Sequence, residues 1–288
     1  MPWYVYSLLA SILFAIIPLQ KRKFNHSPKD IVFWSSLFAF ALTLALFPLL
    51  EFPEMEVFYV MAIFTGFSGV FGGVLQFKLA EKHMGRTLQV QLPVQILSCF
   101  TFYCFLQPEY YNALFSNPYS SFAAGISILL LILSSQFLRK SDNTLIGFLT
   151  VVPIGLLFAF IMVYYKLVMD VIPGNVSNII LAYIMVHYFT VSVCFFVENL
   201  INKDSVINIS EKITSSSLLI AVLSVFAYYF LFTSVYYASN PAYPIAFNML
   251  IPVWIKLYNT GFLKKADEAS LKISVIMLLA ICILAVSG

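Results

Sequence analysis

Long apolar runs recur along the whole chain, and this repetition limits the possible folds more than any other feature. Of the 288 residues, 61% are hydrophobic and 10% are charged, whereas soluble domains carry about 25% charged residues. A helical run of about 18–25 apolar residues matches the hydrocarbon core of a bilayer. We therefore expect lipid to surround most of this protein.

The apolar runs predict ten membrane-spanning helices. A β-barrel would require apolar and polar residues to alternate, and segments such as Ile126 to Leu133 do not alternate. The first run, from Trp3, has no basic leader and no small-residue cleavage site, so we expect it to be retained. The predicted spans are 3–19, 31–50, 57–79, 87–106, 119–138, 144–166, 177–198, 217–237, 241–262 and 270–287.

Basic residues divide unevenly between the two faces of the predicted membrane protein. Fifteen of the sixteen Lys and Arg residues lie in or beside the loops that follow odd-numbered spans, and Lys166 is the exception. The positive-inside rule then predicts that these loops are cytoplasmic and that both termini are outside. We predict the bacterial inner membrane as the location. Because topology explains the basic residues, lipid is an expected partner and nucleic acid is not.

Two pairs of segments match each other along the chain. Leu13-Phe14-Ala15 falls on Leu157-Phe158-Ala159 at an offset of 144 residues, and Pro93 falls on Pro252 at an offset of 159. Each half would hold five spans, an odd number, so the second half would enter the membrane from the opposite side. These matches indicate an inverted repeat.

The predicted fold is thus an all-α integral membrane protein with ten transmembrane helices in a five-plus-five inverted repeat. Residues 1–142 form the first repeat and residues 143–288 the second, and together they make one transmembrane domain. The sequence leaves the oligomeric state open.

This organisation resembles the drug/metabolite transporter superfamily, in its EamA-like ten-helix branch. The resemblance covers nearly the whole chain and includes the prolines of the fourth and ninth spans. The chain has Phe14-Ala15 where members usually have Trp-Gly, and Gly261-Phe262 where they often have Gly-Glu. The resemblance implies a cavity between the first, third, fourth, sixth, eighth and ninth spans. It also implies export of amino acids, aromatic compounds or other metabolites, while relatives carry nucleotide sugars.

Polar residues inside apolar spans are costly, so their positions indicate a candidate binding site. Gln91 and Gln95 lie four residues apart in the fourth span and share one helical face. Their amides can bind a carboxylate, an ammonium or a ring heteroatom. We predict that Asn248 and Tyr228 contact the same solute and that Lys256 attracts an anion. Hydrogen bonds between helices are the alternative for the glutamines, and snorkelling to the cytoplasm is the alternative for Lys256.

Prolines in the fourth and ninth spans supply candidate hinges. Pro93 and Pro252 each interrupt the backbone hydrogen bonds of a helix and permit a kink. Proline is common in membrane helices, which is the simpler explanation. His187 lies in the middle of the seventh span and can in principle relay a proton. A neutral histidine bonded to a neighbouring helix is the reading that we favour there.

These features predict a secondary transporter that exports a small neutral or zwitterionic metabolite, such as an amino acid or an aromatic solute, by alternating access. No Asp or Glu lies in the middle of a span, so exchange of protons through a midplane carboxylate is not expected. The alternative is a nucleotide-sugar or cofactor carrier, in which Lys256 and Lys78 would bind phosphate.

Catalysis, a metal and a cofactor are not predicted. The three histidines are scattered, and the four cysteines fall inside spans at spacings that match no common zinc site. No paired acids occur at membrane depth. An integral membrane enzyme and a scaffold without transport activity remain as alternatives from other functional classes.

Overall fold

A computed structural model describes residues 1–24, 28–83, 88–137, 145–202, 211–261 and 271–287. Within these ranges the chain is helical and contains no strand. Three-ten turns occur at Phe47–Leu49 and Asn248–Leu250. The helices are α1 (Trp3–Phe24), α2 (Pro28–Ala45), α3 (Glu56–His83), α4 (Leu88–Leu106), α5 (Pro108–Ser116), α6 (Pro118–Phe137), α7 (Leu145–Met169), α8 (Val176–Asn202), α9 (Glu211–Tyr237), α10 (Ala242–Phe247), α11 (Ile251–Gly261) and α12 (Leu271–Ser287).

Four helices of the described residues are long and apolar enough to cross a membrane. These stretches lie in α1, α7, α8 and α9, and they are Trp3–Gln20, Val152–Met169, Val176–Glu198 and Thr214–Tyr237. Helices α5 and α6 qualify as a fifth candidate only if they are taken as one span bent by 104°. The prediction of an all-helical chain is confirmed, and these helices have the length and composition of membrane spans.

Every predicted span overlaps a helix, but two local features were missed. Helix α5 lies between the predicted fourth and fifth spans, and Pro108 and Glu109 occupy its first turn, where both residue types favour a helix start. The ninth predicted span is divided into α10, the turn at Asn248–Leu250 and α11. Pro244 and Pro252 each lack the backbone N–H that a continuous helix would use in this segment.

Side-by-side packing of helices organises the molecule. Helix α1 lies along α9, α3 along α8, α4 along α7, and α6 along α12. Helix α2 contacts both α8 and α9, while the divided segment α10–α11 contacts α1 and α4. Glycine permits the close approach of α3 to α8, because a Cβ on Gly66 would lie 2.6 Å from the Cβ of Thr190.

Contacts at both ends of α2 fix its direction relative to α8. The Lys29 ammonium, near the start of α2, lies 2.8 Å from the Glu198 carboxylate, near the end of α8. Beyond the other end of α2, Glu51 accepts a 2.8 Å hydrogen bond from the backbone N–H of Asn175. Gly174 beside it has a φ of 126°, and a side chain there would collide with Glu51. The two helices therefore run antiparallel.

An aromatic cluster closes the contact between α7, α8 and α9. The ring of Tyr165 lies 5.0 Å from that of Tyr183 and 4.5 Å from that of Phe232. All three side chains are fully buried. The Tyr183 hydroxyl lies 2.6 Å from the Thr65 hydroxyl of α3, so the cluster also connects these helices to α3.

Candidate functional site

The two glutamines of α4 are buried, as expected for residues on an inward face. Gln91 is 3% exposed and Gln95 is 6% exposed, and Pro93 between them is also buried. Helix α4 continues through Pro93, although that residue cannot donate to the carbonyl of residue 89. Gln95 is thus a buried amide on the same face of α4 as Gln91. An amide side chain offers two donors and an acceptor to a ligand.

A glycine brings α7 against the same part of α4. A Cβ placed on Gly155 would lie 3.0 Å from Val94 Cγ1 and 3.1 Å from the carbonyl oxygen of Gln91. Contacts this short leave no space for a larger side chain. The crossing of α4 and α7 therefore lies beside the two glutamines.

Asn248 begins the three-ten turn that divides the ninth predicted span. This turn contacts α1, α4 and α12. Within the described residues the Asn248 Oδ1 atom is buried and has no hydrogen-bond partner. A buried polar atom in a native protein normally forms a hydrogen bond with a protein group or an ordered water. We define the amide cluster as Gln91 and Gln95 of α4 together with Asn248 of the turn, because the turn contacts α4.

On the other side of the turn, α11 is joined to α1 by a hydrogen bond. The indole N–H of Trp254 donates to the Ser11 hydroxyl over 3.0 Å. That hydroxyl donates in turn to the carbonyl of Leu8 over 2.8 Å. Pro252 lies in the first turn of α11, where a missing N–H is tolerated. The half-helix after Asn248 is thus held to α1 by a specific polar contact.

Aromatic side chains of α1, α4, α5 and α10 pack together near the C-terminal end of α4. Trp3 stacks on Tyr243 of α10 with ring centroids 6.2 Å apart, and Phe100 of α4 lies 6.4 Å from the same ring. The hydroxyls of Tyr243 and Tyr110 are 3.0 Å apart, which connects α5 to α10. Burial raises the pKa of Tyr110, outside the predicted spans, above its usual value. This hydroxyl therefore stays neutral at physiological pH.

Tyr228 has a different set of neighbours from the amide cluster. Its ring packs edge-to-face on Phe14 of α1 at 5.4 Å. On the α8 side it lies 5.5 Å from His187 and 6.0 Å from Tyr188. Helix α1 contacts both this group and the turn with Asn248. The structure therefore groups Tyr228 with α8 and relates it to the amide cluster through α1.

The two lysines singled out by the sequence lie on different helices. Lys256 of α11 is 9% exposed, and the side chain of Lys78 lies outside the described residues. Lys166 of α7 is also buried, and its ammonium lies 2.7 Å from Asp170 and donates to the carbonyl of Tyr236 over 2.6 Å. Lys166 is therefore committed to joining α7 and α9.

Metal ligation has no evident place in the described part of the chain. No group of three or more His, Cys, Asp or Glu side chains lies close enough there to hold an ion. The described cysteines are unpaired.

Comparison with known proteins gives the fold alone. No family model and no curated protein matches the chain. Among solved structures, one described as "Crystal structure of protein" matches with a TM-score of 0.68 at 12% sequence identity, covering 98% of this chain and 96% of that chain. The chain is therefore similar in fold, along nearly its whole length, to a protein of very different sequence.

Proposed function

We propose that this protein is a secondary transporter that exports a small neutral or zwitterionic metabolite by alternating access between two inverted five-helix repeats. The observation that supports the proposal is the contact of α4, which carries Gln91 and Gln95, with the turn that carries Asn248. Many transporters place their substrate site at such a contact near the bilayer midplane. The proposal includes the ten membrane crossings and the likeness to EamA-like drug/metabolite transporters.

The larger helix contacts support a repeat, because each of them has a counterpart when the two halves are exchanged. The exchange replaces α1 by α7, α2 by α8, α3 by α9, α4 by α10–α11, and α6 by α12. Under it, the contact of α1 with α9 becomes that of α7 with α3, and the contact of α4 with α7 becomes that of α11 with α1. Each of these contacts occurs, as do both α2 with α9 and α8 with α3.

Residue positions at these contacts support the offsets read from the sequence. The offset of 144 pairs Ser11 with Gly155, and the offset of 159 pairs Gln95 with Trp254. Ser11 meets Trp254, and Gly155 meets Val94, the neighbour of Gln95. The crossings of α1 with α11 and of α4 with α7 are therefore equivalent within one residue.

The matched triplets also have equivalent surroundings. Ala15 and Ala159 are both almost fully buried. Phe14 contacts Tyr228 of α9, and Phe158 is the neighbour that a Cβ on Gly72 of α3 would meet. Because α3 and α9 correspond under the exchange, the phenylalanines occupy related positions. Independent packing details thus agree with the same pairing of halves.

Three contacts join two helices that replace each other in the exchange, so the exchange leaves them unchanged. They are α2 with α8, α4 with α10, and α6 with α12. The contact of α4 with α10 adjoins the amide cluster, so the proposed substrate site lies on the pseudo-two-fold axis. Its buried amides and the aromatic side chains near the C-terminal end of α4 suit an uncharged, zwitterionic or aromatic solute. Pro93 and Pro252 flank this position and are the proposed hinges. Cytoplasmic odd-numbered loops, outside termini and the bacterial inner membrane complete the proposal.

Burial of Lys256 favours one second candidate, a carrier of nucleotide sugars or phosphorylated cofactors. A buried ammonium near α1 would attract an anionic group. Substitution of Lys256 by Gln would then abolish flux of anionic solutes, whereas it would leave flux of neutral solutes unchanged under the main proposal. Transport of a radiolabelled nucleotide sugar by the two proteins distinguishes the candidates.

The experiment for the main proposal compares metabolites in the medium and in the cytoplasm. Cells express the intact chain, the Gln91→Ala/Asn248→Ala variant, or Leu97→Ala, whose position on α4 is exposed. We expect a solute that accumulates outside with the intact chain and Leu97→Ala but not with the double variant. Identical profiles for three inserted, equally abundant proteins would contradict the proposed site and the export function.

A further inference from the structure

Three rings form a buried polar group away from the proposed substrate site. We define the ring cluster as His187 and Tyr188 of α8 with Tyr228 of α9. The imidazole centroid lies 4.9 Å from the Tyr188 ring and 5.5 Å from the Tyr228 ring. The two tyrosine rings are 6.0 Å apart. His187 is near the middle of α8, which spans Val176–Asn202, so the cluster lies far from both helix ends.

One polar atom of the ring cluster, the Nδ1 atom of His187, is buried and has no hydrogen-bond partner among the described residues. The neighbouring Tyr188 hydroxyl interacts with Ser224 of α9. Buried polar groups in native proteins are nearly always paired with protein or water. Within the described structure, the Nδ1 atom of His187 does not make the hydrogen bond to a neighbouring helix that the sequence favoured. This nitrogen can gain a proton and then donate it in a hydrogen bond to a bridging water.

Glycine shapes the space around the imidazole. A Cβ on Gly69 of α3 would lie 3.0 Å from His187 Cε1, so α3 leaves room for this ring and little more. Gly66, one turn earlier on α3, allows close contact with the backbone of His187 and with Thr190. The imidazole is therefore held between α3 and α9 in a defined orientation.

Two ion pairs occupy charged groups of the described spans at other positions. Lys166 pairs with Asp170 and Lys29 with Glu198. Glu198 lies on the same helix as His187 and is about 16 Å along that helix from it. Tyr228 of α9, Tyr188 of α8 and Gly69 of α3 lie against the imidazole. Histidine is the side chain that ordinarily changes charge between about pH 5 and 8.

The ring cluster is connected to the helices that the proposed transport cycle would rearrange. Tyr228 packs on Phe14 of α1, and α1 carries Ser11, which binds Trp254 beside the amide cluster. A charge that appears at His187 would change the electrostatic environment of Tyr228 and hence the contact of α9 with α1. A change of protonation at His187 thus has a short structural route to the substrate site.

We propose that His187 binds the proton that couples solute export to the proton gradient, with Nδ1 as the atom that gains it. The inference rests on the proposed transport function and names its energy source. In each cycle His187 takes a proton from the outside and releases it to the cytoplasm while one solute moves outward. Helix α8 thereby supplies the energy coupling, and the amide cluster supplies the solute contacts.

The first test needs no substrate. Protein with 15N-labelled histidine, in which His26→Gln and His83→Gln leave His187 as the single histidine, is placed in lipid nanodiscs and titrated by NMR. We expect the Nδ1 resonance of His187 to change from a neutral to a protonated imidazole between about pH 5 and 8. A His187 resonance that stays neutral throughout this range would overturn the proposal.

The second test measures coupling in proteoliposomes loaded with a mixture of neutral amino acids. The protein is present as wild type, as His187→Gln, whose amide cannot change charge, or as Val193→Ala, an exposed position on the same helix. We expect a pH gradient to accelerate solute movement about fivefold or more for wild type and Val193→Ala. His187→Gln should move solute down its own gradient without any response to pH.

The outcomes separate this proposal from the transport proposal. Wild-type flux that is the same with and without a pH gradient would contradict proton coupling and leave transport intact. If solute flux through His187→Gln responded to the pH gradient as wild-type flux does, this result would also contradict proton coupling through His187 and leave the transport proposal intact. Absence of flux in wild-type proteoliposomes, for the mixture and for any solute found by metabolite comparison, would contradict transport and coupling together.

Discussion

The crossing of α4 with α7 and the crossing of α1 with α11 have similar geometry but different chemistry. Gly155 closes the first by letting its backbone approach Val94, whereas a hydrogen bond from Trp254 to Ser11 closes the second. Under the proposed repeat, the residue on α4 that corresponds to Trp254 is Gln95, which is buried. We propose that this position binds a solute in one half, whereas Trp254 serves helix packing in the other.

The largest expected effect is a loss of stability at the glycine crossing. Gly155→Leu would force side-chain atoms into Val94 and the Gln91 carbonyl, and should lower the free energy of unfolding by about 3 kcal/mol. Thermal unfolding in detergent measures this change. Gly125→Leu is the matched control, because nothing lies within 4 Å of a Cβ at Gly125. Equal stability of the two variants would show that the packing of α4 on α7 does not require a glycine at position 155.

A smaller effect is expected on flux when the Gln95 amide is removed. Gln95→Leu keeps a similar volume but cannot bind a polar solute, and should lower solute flux about tenfold, equivalent to about 1.4 kcal/mol. Initial export rates from proteoliposomes measure the effect, with Leu97→Ala as control. Unchanged flux in Gln95→Leu would remove Gln95 from the proposed site.

The smallest expected effect concerns the hydrogen bond of the second crossing. Trp254→Phe removes the donor to Ser11 and should lower the free energy of unfolding by about 1 kcal/mol. Trp34→Phe is the matched control, since the buried Trp34 indole N–H has no partner in the described residues. We expect that control to be neutral or slightly stabilising. A larger loss for Trp34→Phe than for Trp254→Phe would contradict the account of this crossing.

The sequence predicted the helices well because apolar runs of membrane length have few alternative structures. It did not predict α5, whose signal is a short amphipathic pattern that begins at Pro108 and Glu109. It also treated the ninth span as continuous, although Pro244 and Pro252 lie eight residues apart within it. Prolines indicate where a helix can break but do not determine whether it bends or divides.

Burial of the site residues was predictable in part. The spacing of Gln91 and Gln95 placed them on one inward face, and both are buried. The neighbours of Tyr228 were not predictable, because helix rotation depends on packing against α1 and α8. The ring cluster was missed for the same reason, since His187, Tyr188 and Tyr228 come together only when α8 meets α9. The available signal was the adjacent pair His187-Tyr188 in the seventh predicted span together with Tyr228 in the eighth.

Alternating access to the amide cluster is the central claim, and cysteine labelling tests it most directly. Replacing the four cysteines, all unpaired, gives a background in which Asn248→Cys is the single thiol. An impermeant thiol reagent is then added to either face of oriented vesicles. We predict modification from both faces, slowed by saturating solute. Modification from one face only, unaffected by solute, would contradict the account.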